Sequence, residues 1–416
     1  MKKNNPNVQV AVVGAGIIGT LTSFLLQKQG LKVTLFDHSD PGSKTSFGNA
    51  GTFANYACIP INSEKIFSQL PQLILGSDSP LSIEWSSLLQ SFPWLIKFLR
   101  NCRKKKVEEI INSLGSLLRM SDEANNEILM DRSINPLIKY NEALYVYDNI
   151  KDYEDSNKSN QLREKQGVRL EVLDENEINN LEPSLSKKFY KGILFKNSYF
   201  TSDPLMLTQK IFDNFISAGG VFVKKKIKNI GCTEHGVYLS ADEENIFFDK
   251  IVLATGAWTK YFSNRLGDKI PLGVERGYHL MYANSAHKIS RPIGINAYGF
   301  YMTPMTHGLR VAGTVEIGSA NDRVSSRRIS WMKKKSKEII NTLEEPSSEW
   351  VGHRPTLPDS LPVLGPSLQN PNIYYNFGHQ HLGLTLAALS GKIIRDMVIK
   401  AHVNYNVSAF SPQRFT

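Results

Sequence analysis

The sequence predicts an α/β protein in which a Rossmann-like parallel-sheet domain is interleaved with a discontinuous, mainly antiparallel α+β domain. Three observations predict it. An apolar run, Val8–Val13, ends in Gly14-Ala15-Gly16-Ile17-Ile18-Gly19 and leads through a helical stretch to a second run, Lys32–Phe36, that stops at Asp37. A later run, Ile251–Leu253, ends in the small-residue turn Ala254-Thr255-Gly256. The segments Tyr301–Pro304 and Leu309–Glu316 read as paired strands of a separate sheet.

In the opening unit, the β-branched run reads as a strand buried on both faces. Gly14 permits the tight turn, Gly16 lets the backbone approach a pyrophosphate, and Gly19 lets the helix pack on the sheet. The helix, Thr20–Gln29, closes at Gly30 as a C-cap, and its N-terminus offers unpaired N–H groups to phosphates. Asp37, followed by His38 and Ser39, ends the second strand and is placed to accept hydrogen bonds from ribose hydroxyls. This unit implies a dinucleotide and leaves open which one.

The next segment, Ser43–Gly51, contains Thr45, Ser46, Asn49, Ala50 and Gly51, with Thr52 beyond it. Small hydroxylated residues suit a chain passing close to a phosphate and a flat ring, and equally suit a surface loop. Gly219–Val223 reads as a helix end and a strand, with Ile227 after it; Ala254, Thr255, Gly256 and Trp258 follow the next strand at the carboxyl end of the sheet.

Two C-terminal blocks carry charged and polar groups. Trp350–Asp359 and Leu361–Gly365 are dense in proline and glycine and read as an irregular, rigid loop. Arg354 within it either pairs with a carboxylate through its planar guanidinium or bonds loop carbonyls. The second block, Asn376–Thr385, follows a strand, Ile373–Tyr375, and leads into a helix, Leu384–Lys400. His379 and His381 form an HxH pair, but no further ligands stand at a recognisable spacing, so no metal site is assigned. Tyr56, Tyr278, Tyr298 and Tyr301 could each hydrogen-bond a substrate or simply pack.

These blocks in this order resemble the D-amino-acid oxidase/dehydrogenase superfamily, most of all its bacterial D-amino-acid dehydrogenase branch. The resemblance runs from about Val10 to about Asp396 and is weakest from Asn62 to Tyr190. It implies noncovalent FAD. It also implies flavin contacts from Gly378, His379, Gln380, His381, Leu382, Gly383, Leu384 and Thr385, where a helix dipole would stabilise charge on the reduced ring. Arg354 matches the arginine that holds the substrate carboxylate, and Arg276–Leu280 matches a border of the substrate cavity. His381, Tyr278 and Tyr56 are the further catalytic candidates.

The implied reaction is oxidative deamination of a small amino acid, most of all a D-amino acid, with D-proline and hydroxyproline as cyclic cases. A hydride passes from Cα to flavin N5, then electrons pass to a quinone or another acceptor. Three other readings stay open: an oxygen-using oxidase that releases peroxide, a flavin-binding subunit without turnover, and, as the weakest, an NAD-only dehydrogenase. No residue is assigned as general base.

The chain has 416 residues, too many for one core, and divides into a cofactor domain (1–62, 191–268 and 348–416) and a substrate domain (63–190 and 269–347). With 41% hydrophobic and 21% charged residues it is ordinary globular protein. The net charge of +10 is scattered without a basic–aromatic stripe, which gives no sign of a nucleic-acid partner. Three scattered cysteines fit a reducing compartment rather than a disulfide framework.

Lys2 and Lys3 before the apolar run superficially suggest a secretion signal, but a strand–turn–helix explains the glycines and a signal does not, so a cytoplasmic protein is expected. In the middle region, Trp94, Leu95, Phe98, Leu99, Cys102, Ile110 and Ile111 form an apolar stripe, with Lys97, Arg100, Arg103 and Lys104–Lys106 mostly opposite. A helix packed on the core is the first reading; contact with the inner face of the cell membrane is the second. Ile150–Asn160 reads as an exposed polar turn region.

Overall fold

A computed structural model describes residues 8–64, 66–67, 81–83, 88–234, 236–242, 244–321, 323–403 and 405–416. Lys2 and Lys3 lie outside them. The first sheet has six strands in the order Val221–Lys224, Lys32–Asp37, Gln9–Val13, Lys250–Leu253, Ile373–Phe377, Val363–Pro366. The first five run parallel and the last is antiparallel. Val10, Val12, Ile251 and Val252 are fully buried because helices and a covering sheet leave neither face to solvent. That cover is a three-stranded antiparallel sheet, Asn229–Thr233, Gly236–Ala241 and Glu244–Phe248.

The first helix, Ile17–Gln27, packs against the C-terminal helix Gly383–Val398. Their backbones approach closely at Gly391, where an added Cβ would lie 3.0 Å from Leu25. Leu386, Leu389 and Ile393 on the C-terminal helix join Leu21, Leu25 and Leu26 in one core, each burial contributing roughly 1.5–3 kcal/mol. The first helix closes at Lys28 rather than at Gly30. Gly30 stands two residues further on at φ +81°, donating to the carbonyl of Gln27, so it shapes the exit and not the cap.

The second large sheet runs Ser348–Thr356, Gly273–Tyr282, Gly308–Gly318, Phe300–Met305, Ile293–Ile295, Leu144–Tyr147, Lys191–Phe195, Leu170–Asp174, with Leu81–Ile83 beside Gly308–Gly318. The expected pairing of Tyr301–Pro304 with Leu309–Glu316 is present and antiparallel. Sheet membership moves two segments across the domain division expected from the sequence: Lys191–Phe195 and Ser348–Thr356 belong to this sheet. The second of these is also where the rigid loop was expected. Pro355 is accommodated because its strand is the sheet's edge, bonded to a neighbour on one side only.

The middle region folds as two helices, Leu88–Asn101 and Lys104–Leu129. The apolar stripe divides between them. Trp94, Phe98 and Cys102 pack with Ile317 of the large sheet, and Ile110 joins the core of the first sheet, with Ile111 buried beside it in sequence. Ile150–Lys165 is a helix, not a turn region. Its polar composition misleads because what starts it is a cap, Asn149 accepting from the Asp152 N–H at 3.0 Å, and what supports it is one packed edge. Among the described residues no helix is long and apolar enough to cross a membrane.

Candidate active site

A cavity of about 960 Å³ lies between the carboxyl ends of the parallel strands and one face of the large sheet. This is the upper part of the range usual for cofactor clefts, roughly 300–1,000 Å³. One end is the glycine turn. Gly14 adopts φ +104° beside the backbone of Ala254, where a Cβ would fall 2.5 Å from the carbonyl oxygen. A Cβ on Gly19 would fall 1.8 Å from the Gly14 carbonyl oxygen, so this position admits no side chain. The Ser46 hydroxyl accepts from the Ile17 N–H at 2.9 Å and ties the loop after the second strand to the start of the helix. Asp37 holds the turn as well as facing the cavity: its carboxylate accepts from the N–H groups of Ala15 at 2.7 Å and Ser39 at 2.8 Å.

The loop 43–51 forms one wall. Asn49 bonds the Ser46 carbonyl and the Gly51 N–H, both at 2.7 Å, and Arg310 donates to the carbonyls of Phe47 and Asn49, both at 2.8 Å. Arg310 had no signal in the sequence beyond its place on a strand. Its burial lowers its pKa to about 10, which leaves it charged and bound to the loop.

At the far end Gly378 turns at φ +84° and Gln380 at φ +50°, and the helix Gly383–Val398 starts immediately after. Among the described residues, the Gln380 amide nitrogen and His379 Nε2 are buried there without a hydrogen-bond partner. Orphaned polar atoms at a helix N-terminus, facing an apolar slot, fit a flat ring that has both donors and acceptors. The Thr385 hydroxyl accepts from the Ala54 N–H at 2.9 Å and its carbonyl accepts from Asn125 at 3.0 Å, which fixes this turn to its neighbours.

Most of the residues singled out in the sequence meet in this cavity: Gly14 to Ile18, Asp37, His38, Thr45, Ser46, Asn49, Ala50, Thr52, Tyr56, Ile227, Ala254 to Gly256, Trp258, Arg354, Gly378 to His381, Gly383 and Leu384. Gly19, Ser39, Gly51, Leu382 and Thr385 stand behind the wall and shape it. Tyr278 is a correction. Strand residues alternate faces, so Glu275 and Gly277 face the cavity and Tyr278 turns into the opposite core, its hydroxyl donating to Glu316 at 2.6 Å. Burial and that carboxylate push the phenol up to about 12. Tyr298 is also in that core, bonded to Lys187 and Glu338.

Arg354 reaches from the edge strand across its neighbour. A Cβ on Gly277 would lie 2.4 Å from the guanidinium carbon, so the glycine is what gives the side chain its path. Arg354 donates to the Thr314 carbonyl at 3.1 Å. Thr314 has φ +56°, an uncommon conformation for a β-branched residue, at a bulge between the strands of Gly277 and Val315. Glu275 lies opposite Arg354 in register; burial raises its carboxyl, with Arg354 pulling it back down. Among the described residues no carboxylate lies within ion-pair distance of Arg354. Its guanidinium, lowered by burial and supported by Glu275, is charged and free to take an anion.

His381 is open to the cavity interior while protein encloses the cavity around it. Burial and the nearby Arg354 lower it to about 4; burial alone lowers His379 to about 3, and burial with Arg310 lowers His279 to about 3. All three are neutral near pH 7. The folded state refuses protons that the unfolded chain accepts below about pH 6.5, so stability falls as pH drops from about 6.5 toward 4. Thermal unfolding between pH 7.5 and 4.5 is expected to show Tm falling steadily below 6.5; a Tm constant to pH 4.5 would contradict the burial of the His279 and His379 rings. Among the described residues no group of three or more His, Cys, Asp or Glu side chains is arranged to hold a metal ion.

The sequence reasoning did not assign Tyr145, Arg163 and Glu275 to the cavity, and it weighed Tyr301 without committing to it. Tyr56 and Tyr301 share a hydroxyl hydrogen bond of 3.1 Å, and Tyr145 meets Tyr301 edge-on at 5.6 Å. Only alternation along the strand Leu144–Tyr147 could have hinted at Tyr145.

Comparison with known proteins agrees with this geometry. The family model described as "DAO: FAD dependent oxidoreductase" matches residues 9–397. A D-amino-acid oxidase of Bradyrhizobium diazoefficiens is 28% identical over 415 residues, 98% of each chain. Among solved structures, glycine oxidase from Geobacillus kaustophilus superposes with a TM-score of 0.74 at 20% identity, covering 98% of this chain and 99% of that one. L-proline dehydrogenase from P. horikoshii does so with 0.74 at 16% identity, covering 98% of each. The glycine turn, the orphaned donors at the second helix N-terminus and the shape of the cavity suit FAD, and the chain belongs to the DAO family of FAD dependent oxidoreductases.

Proposed function

We propose that the protein oxidises the Cα–N bond of a small amino acid, of D configuration, and passes the electrons to a quinone or another acceptor rather than to oxygen. The observation that carries the reading is Arg354, a guanidinium enclosed in the cavity that among the described residues makes no ion pair. Charge-assisted, two-pronged hydrogen bonds to an α-carboxylate satisfy it. The D configuration is supported by the named activity of the Bradyrhizobium relative.

FAD, when bound, supplies the two-electron acceptor: Cα–H leaves as hydride, the neutral amine becomes an imine, and water converts the imine to a keto acid and ammonia. The chain's part is placement. Arg354 fixes the carboxylate and so the direction of Cα–H. Neutral His381 takes a hydrogen bond without adding a second positive charge beside Arg354. Tyr56 and Tyr301 close the side-chain end with hydroxyls kept protonated by burial. Glu275 stands behind Arg354 and supports its charge.

The test is turnover on a panel of D- and L-amino acids, glycine, sarcosine, proline and hydroxyproline, assayed with a quinone or dye and separately for peroxide. Dye-linked oxidation of D-amino acids with little peroxide is expected. Peroxide formed in step with substrate would overturn the choice of acceptor, and preference for L-amino acids would overturn the configuration.

A further inference from the structure

We propose that Arg163 is the side-chain specificity residue of this cavity and that the substrate is an amino acid carrying a second carboxylate. The inference rests on the amino-acid oxidation proposed above and narrows it. Arg163 comes from the polar helix Ile150–Lys165 and reaches the cavity wall beside Tyr56, Tyr145 and Tyr301. It is held in place rather than free. One guanidinium nitrogen donates to Asn160 at 2.9 Å, and the group lies 5.6 Å from the centre of the Phe195 ring. Phe195 in turn stacks on Tyr56, with ring centres 3.9 Å apart and planes 3° from parallel.

What it lacks is an anion. Arg163 Nε is buried without a hydrogen-bond partner, and among the described residues no carboxylate lies within 4.0 Å of its guanidinium. Arg354 is in the same position, so one cavity holds two guanidinium groups with no ion pair to either. Arg163 is half-buried as a residue, but its Nε is fully buried, and a buried donor left without a partner is costly. The α-carboxylate answers one. A second anion on the substrate answers the other.

The sheet gives the spacing. Arg354 lies over Gly277 and contacts Thr314, the next strand inward carries Tyr301, and Tyr145 lies over Gly294 on the strand beyond. With strands about 4.8 Å apart, the groups around Arg163 stand one to three strand spacings from the Arg354 guanidinium. An aspartate- or glutamate-sized molecule, with hydrogen bonds of about 2.8 Å at both ends, spans such a gap. The hydroxyls of Tyr56, Tyr145 and Tyr301, kept neutral by burial, are the donors that would share the second carboxylate with Arg163.

The experiment compares kcat/KM for aspartate with asparagine and glutamate with glutamine, both enantiomers, in the wild-type holoenzyme, Arg163→Met and Arg163→Lys. In at least one pair the acid is expected to exceed its amide by roughly 100-fold, the scale for removing one partner of a buried charge pair. Arg163→Met brings that ratio to about one or below, and Arg163→Lys keeps part of it. Independently of turnover, glutarate is expected to raise the Tm of the wild-type protein where butyrate at equal concentration does not, which decides the matter if the variants fail to fold. Amides used as well as acids, a ratio unchanged in Arg163→Met, or equal Tm shifts from the two ligands would each overturn the inference. Turnover confined to neutral amino acids overturns this inference alone; no turnover with any amino acid overturns the proposed function as well.

Discussion

Replacing Arg354 with methionine is expected to lower kcat/KM for amino acids by roughly 100- to 3,000-fold while the protein keeps its flavin. The size follows from leaving a carboxylate buried opposite no charge, about 3–5 kcal/mol, at about 1.4 kcal/mol per tenfold. Arg354→Lys keeps the charge but loses the planar fork, so it is expected to recover about tenfold of that loss. The loss falls mainly in KM if the carboxylate contact is equal in the bound and reacting states, and reaches kcat where placement of Cα–H depends on it. Steady-state kinetics beside flavin-to-protein absorbance ratios check both halves. Unchanged kcat/KM in the methionine variant would remove Arg354 from substrate binding. Glu275 lies opposite Arg354 in register, so with Arg354 gone its carboxyl loses the charge that pulls its pKa down and is expected to shift further upward.

Gly19→Ala should abolish flavin retention. The new Cβ meets a backbone atom, the Gly14 carbonyl oxygen, at 1.8 Å, and neither helix nor turn can yield without moving the phosphate-binding N–H groups. Overpacking of this kind costs roughly 1–3 kcal/mol even where a side chain can give, and here only backbone can. The purified variant is expected to be colourless and to need at least 100-fold more FAD for half-saturation. Gly30→Ala is the control: φ is +81° there, but nothing lies within 4 Å of the added carbon. That variant should lose about 1–2 kcal/mol of stability and remain yellow. Equal flavin content in the two variants would contradict the role assigned to the turn.

Why one end of the cavity could be read from sequence and the other could not has a physical basis. A pyrophosphate forces a short stretch of chain into a turn that only small residues adopt, so Gly14 to Gly19 and Asp37 state their purpose locally. Arg354 was legible by its motif but not by its structure: proline and glycine density suggested a loop, whereas an edge strand tolerates both. Tyr278 shows the cost of a single-residue shift. In a strand its neighbour Gly277 takes the cavity face, and a conspicuous tyrosine takes the core. Arg163 carries no local mark, and Tyr145 carries only the alternation of its strand. They reach the cavity through the pairing of Leu144–Tyr147 with Ile293–Ile295, about 150 residues apart, and through a polar helix whose only announcement is its Asn149 cap. Such contacts are products of topology, and composition or spacing does not display them.

The most direct test is to mix the purified holoenzyme with a single amino acid in the absence of oxygen and of any other acceptor. The proposed function predicts that the oxidised-flavin absorption bleaches and that one keto acid forms per flavin reduced. A flavin that stays oxidised with every amino acid, in a protein that dithionite still reduces, would contradict it.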